Sequence, residues 1–176
     1  MEMTLFLAQN AVEQHSMTYN IIDGALSKYS RVLVSFTSRE EELFYDGMLW
    51  SHKKISFIPH GMAHEELPTH QPVLLGDSFN NIHNNPELFI AMSRMRLKEY
   101  ELLNTSIWRT LQRIALIVNI QDISLDLHNP IYKDNLLRKL HDSNAFDIDI
   151  ESILHYITSI NISLYKDLKW SKIPVI

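Results

Sequence analysis

The sequence contains no cysteine, which excludes disulfides, thiol nucleophiles and thiolate-bound zinc and fits a reducing cytoplasm. Glycine is nearly as scarce. The four glycines, Gly24, Gly47, Gly61 and Gly76, stand far apart, so the dinucleotide fingerprint and the P-loop are both missing, since each needs close glycines to bring backbone amides to phosphate. No Gly-x-Ser-x-Gly elbow is present to raise a serine nucleophile. No apolar run reaches the roughly 20 residues of a membrane span. Met1-Glu2-Met3 leads into a short apolar run without the basic lead and small-residue cleavage site of a secretory signal. Positive charge is short as well: 16 Lys and Arg against 21 Asp and Glu leave a net charge of -5 with the nine histidines neutral. Such a chain has no strong field to attract a phosphate backbone, and DNA is expected to be met only indirectly.

What remains is an ordinary globular composition. The 176 residues, 45% apolar and 21% charged, are enough for one substantial core. Thr4 to Ala8 and Arg31 to Phe36 are short apolar runs separated by about twenty residues of helical spacing, a β-α-β pattern whose crossover length favours parallel strands. Ser38, followed by Glu40, Glu41 and Glu42, has the capping hydroxyl and acidic first turn of a helix that should run from Arg39 to Trp50. Ile55–Pro59, Pro72–Leu75, Leu88–Met92 and the run "IALIVNI" read as further strands. Arg94 to Ala115, Lys133 to His141 and Glu151 to Ile160 carry apolar residues at helical intervals. The alternation predicts an α/β fold of three layers, a mostly parallel sheet with helices on both faces. A boundary near Asp147 to Ser152 divides residues 1–150 from a C-terminal extension, 151–176.

Two features carry chemical possibilities. His60, His64 and His70 lie within eleven residues, and three imidazoles suit zinc or a similar metal, which makes a metal-dependent hydrolase one reading. Gly61 and Pro68 place them in a loop, however, where spacing by four brings no two rings onto a common helical face. The other feature is the apolar stretch "LWSHKKISFIPHG", in which Trp50, Phe57, Ile58 and Pro59 follow the second helix. Large apolar residues are usually inside, yet aromatics beside a strand end also make good partner anchors, because they bury much area at little entropic cost.

Arg31-Val32-Leu33-Val34, Asp46, Leu49-Trp50, Phe57-Ile58-Pro59-His60 and Pro72-Val73-Leu74-Leu75, taken in that order and spacing, resemble the chi subunit of bacterial DNA polymerase III holoenzyme. The clear match covers residues 1 to about 76, and a weaker one continues through "ELFIAMS", "WRTLQRIALIVN" and "KDNLLRKL". The resemblance implies a fold like that of nucleotide-binding domains, without their phosphate loop, and a noncatalytic clamp-loader accessory protein needing no cofactor. It further implies two protein partners. One surface would pair with the psi subunit, with Trp50, Phe57, Ile58, Pro59 and His60 at or beside the contact. Another would accept the acidic C-terminal tail of single-stranded-DNA-binding protein on the late helix, through Lys133, Leu137, Arg138, Lys139 and His141, with Leu136 and Leu140 as further pocket wall. Where the family carries an aromatic followed by lysine, this chain reads Asn144-Ala145. Residues 94–106 look like an insertion.

Overall fold

Single apolar runs become strands here because alternate residues find a core on each side. The computed structural model describes residues 1–51, 57–76, 84–92, 110–127, 129–143, 157–166 and 169–175, with only the backbone of Lys133, His141 and Lys166. In chain order these form β1 (Glu2–Ala8), α1 (Ala11–Ala25), β2 (Val32–Ser35), α2 (Arg39–Ser51), β3 (His60–Met62), a 3-10 turn (Pro68–His70), β4 (Val73–Gly76), β5 (Leu88–Met92), β6 (Arg113–Asn119), α3 (Ile120–Ile123), α4 (Lys133–Asp142), β7 (Ser159–Lys166) and β8 (Lys169–Ile173). The eight strands make one sheet in the order β3-β4-β2-β5-β6-β1-β7-β8. Neighbours are parallel throughout except for β8, which runs antiparallel to β7. β1 and β2 are therefore parallel, as their crossover predicts, with β6 and β5 between them.

Alternation sorts the side chains into two cores. Val32 and Val34, Val73 and Leu75, Leu88 and Ile90 point to the face where α1 supplies Met17, Tyr19 and Ile22 and α2 supplies Tyr45 and Leu49. Leu33, Leu74 and Phe89 point to the other face, where they join Leu5 and Leu7 of β1, Ile123 of α3, and Leu136 and Leu140 of α4. Strands buried on both sides need continuous apolar runs, which is what the sequence writes. The three layers expected from the alternation of elements are present.

Caps fix where the helices over the first face begin. The Asn10 side chain accepts from the Glu13 N–H at 2.9 Å while Glu13 Oε2 accepts from the Gln9 N–H at 3.0 Å, a reciprocal arrangement that starts α1 within its polar segment. At α2 the Ser38 hydroxyl accepts from the Glu41 N–H at 3.3 Å, and Glu41 Oε2 takes the Thr37 N–H at 3.0 Å. The acidic first turn is thus a helix start, as expected from the sequence.

Three expectations change. The strand placed at Ile55–Pro59 begins instead at His60, and Phe57 to Pro59 are irregular; Pro59 has no N–H to contribute to a ladder. Residues 93–109, most of the expected helix from Arg94 to Ala115, lie outside the described residues, but Arg113 to Ala115 belong to β6. Of the helix expected over Glu151–Ile160, residues 151–156 also lie outside them, whereas Ser159 and Ile160 are in β7. There Ile157 and Ile160 mimic a helical interval, but the operative period is two: Ile160, Ile162 and Leu164 share the face of the second core. β7 pairs along the whole of β1, from Glu2 against Ser159 to Ala8 against Tyr165.

Candidate functional site

α2 points its last turn at the β3 edge of the sheet. Asp46 and Trp50 are four residues apart and so share one side of the helix, while Leu49 turns inward and is fully buried. Past the helix, Phe57 faces outward and Ile58 inward, at 59% and 2% exposure. Trp50 is also 59% exposed, and its ring lies 5.0 Å from that of Phe57. Two large aromatic surfaces are thus held together in water.

Beneath them sits His60, the first residue of β3, whose side chain is wholly buried. Its Nδ1 lies 2.6 Å from the Ile58 carbonyl oxygen and its Nε2 3.1 Å from Asp46 Oδ1. A carbonyl oxygen only accepts, so Nδ1 carries the hydrogen. The imidazole meets the Trp50 ring edge-on at 5.2 Å and the Phe57 ring at 6.4 Å. A Cβ at Gly61, the next residue, would stand 2.7 Å from Cγ and Cδ of Gln71, so any larger residue there would require the Gln71 side chain to move. Pro59 is half-buried at the rim.

The three histidines of the metal reading do not come together. His60 is buried with both nitrogens engaged, His64 is exposed with its ring nitrogens 2.8 and 2.7 Å from the Arg39 guanidinium, and His70 is exposed on the 3-10 turn. Among the described residues no group of three His, Asp or Glu side chains is placed to hold a metal ion. The reason is local: a strand residue, a turn residue and a 3-10 residue point their side chains in different directions. Glu65, beside His64, accepts from the Met62 N–H at 2.9 Å and closes the turn.

α4 lies on the opposite layer. Leu136, Leu137 and Leu140 turn into the second core, while Arg138 and Lys139 are exposed. Lys139 Nζ donates to the Ser124 carbonyl oxygen at 2.7 Å, tying the helix to the end of α3. Lys133 and His141 fall within the helix, and Asn144-Ala145 lie outside the described residues.

Two further apolar residues of α2 complete its surface. Leu43 and Phe44 are about half exposed, and the Phe44 ring lies 4.6 Å from that of His15 on α1. Burial pushes the His15 pKa down, opposed by the charge of Glu41; burial likewise pushes the Tyr45 hydroxyl above the ordinary tyrosine range. Asp46 was legible in the sequence only as one of the residues that carry the family resemblance. Its link to His60 needs the fold.

This site falls inside a stretch with a recognised pattern: the family model described as DNA polymerase III chi subunit, HolC, matches residues 1–132. The chain belongs to that family. No curated protein matches it. The matched span runs from β1 through Tyr132 and includes Trp50, Phe57 and the Asp46–His60 pair, whereas α4, β7 and β8 follow it. Membership in the chi family places the protein among the DNA replication subunits of the polymerase III complex. No helix among the described residues is long and apolar enough to cross a membrane.

Proposed function

We propose that this chi-family protein is a noncatalytic, cytoplasmic accessory subunit of the polymerase III clamp loader. It joins psi, or an equivalent clamp-loader component, to the acidic C-terminal tail of single-stranded-DNA-binding protein and meets DNA only through these partners. The observation that carries the reading is the Trp50–Phe57 pair, 5.0 Å apart and each 59% exposed within the family-matched span. Exposed paired aromatics are costly in water and favourable when a partner covers them. Trp50, Phe57 and Pro59 would touch psi directly; Ile58 and His60, both buried, would support the contact from below.

For the acidic tail we propose the exposed side of α4. Arg138 and Lys139 would take its carboxylates, with Lys133 and His141 on the same helix and Leu137 at the edge of the core. Residues 151–176 are proposed as an extension of the family domain 1–150, one that joins its sheet through β7 and β8. The test is calorimetric titration with the psi subunit and, separately, with the tail peptide of single-stranded-DNA-binding protein. Micromolar or tighter binding to each supports the adaptor reading; absence of heat and of competition with either refutes it.

A further inference from the structure

Trp50 and Phe57 come from different elements, yet their rings meet at 5.0 Å. The two hydrogen bonds of His60 end beside them. Nδ1 donates to the carbonyl of Ile58, the residue after Phe57, at 2.6 Å. Nε2 lies 3.1 Å from Asp46, one helical turn before Trp50. A buried ring bonded at both nitrogens has no freedom to rotate, so the spacing of its two partners is fixed, and with it the spacing of the aromatics each partner adjoins.

We infer that Asp46 and His60 are positioning residues that preset the Trp50–Phe57 wall for an apolar anchor of a protein partner. This rests on the docking role proposed above and adds to it how the surface is held and what it prefers. The wall itself is two exposed aromatic rings, which present no charge of their own to a partner. The favoured contact is therefore an apolar or aromatic side chain inserted against the two rings, with little dependence on salt. Presetting the wall lowers the ordering cost of binding and shows mainly in how long the complex lasts.

Substitutions separate the two bonds. An asparagine amide at position 60 reaches about as far as Nδ1 and a glutamine amide about as far as Nε2, so His60→Asn and His60→Gln each keep one bond. Asp46→Ala removes one outright. Asp46→Asn keeps both, because its amide donates to an unprotonated Nε2. The nuclear Overhauser contact between the Trp50 indole and Phe57 ring protons reads the wall directly, and affinity for purified psi reads its use. Asp46→Ala, His60→Asn and His60→Gln should lose the ring contact and bind about tenfold more weakly, and Asp46→Asn should match the parent in both. Asn84→Ala, which weakens the fold on the other side of β4, should leave both readouts unchanged. The inference is overturned if the ring contact survives Asp46→Ala and His60→Gln, or if Asn84→Ala lowers affinity as much as they do. Should the parent protein not bind psi at all, the proposed function fails, and the ring contact still decides the positioning role alone.

Discussion

The rings of Trp50 and Phe57 stand 5.0 Å apart at an interplanar angle of 46° and are exposed to the same extent. Replacing either by alanine should leave stability nearly unchanged, because neither fills the core, while psi affinity falls by about 2 kcal/mol, roughly thirtyfold. Titration of the two variants, with a thermal melt of each, checks both halves of that expectation.

The two proposed surfaces should differ in their response to salt. Arg138→Glu with Lys139→Glu should abolish binding of the acidic tail peptide and leave psi binding intact, and tail binding by the parent should weaken steadily as ionic strength rises through a few tenths molar. Psi binding should change little over the same range. Calorimetry at three salt concentrations measures each.

Burial depresses the His15 pKa, so in the range between the folded value and the ordinary value near 6.5 the unfolded chain binds more protons at this site than the folded one. Its contribution is therefore intact above about pH 6.5 and is lost as pH falls toward the folded value. Chemical denaturation at pH 7.5 and 5.5 should show the parent losing more stability on acidification than His15→Gln does, the difference being this one site.

Asn84 is fully buried and its Nδ2 donates to the carbonyl oxygens of Val32 at 3.0 Å and Gln71 at 2.8 Å, tying β2 to the start of β4. Asn84→Ala strands those carbonyls and should cost about 1–3 kcal/mol. For a chain of this size that is a fall of several degrees in the melting midpoint, readable by calorimetry.

Much of the architecture was legible because the determining signals are local. Ser38 with its glutamates marks the start of α2, and the apolar runs at Val32, Val73, Leu88 and Ile114 mark strands buried on both faces. The misreadings arose where two periods compete or where a ladder needs a donor. Ile157 and Ile160 fit a helix on spacing alone, and only the pairing of β7 along β1 reveals the two-residue alternation. Pro59 ended an apolar run that looked like a strand, and pairing with β4 begins one residue later. The proposed docking surface was half legible. Trp50 and Phe57 stood out as aromatics, but their exposure, and the burial of Ile58 between Phe57 and the strand, depend on which way each residue faces after α2. The Asp46–His60 bond spans fourteen residues, and no sequence period encodes it.

The most direct measurement is a nuclear magnetic resonance titration of the isotopically labelled protein with unlabelled psi. The expected result is a set of shifted resonances centred on the Trp50 indole, Phe57 and the first residues of β3, with α4 unmoved. Saturable binding whose shifts cluster elsewhere and leave Trp50 and Phe57 untouched would contradict the assignment of this surface.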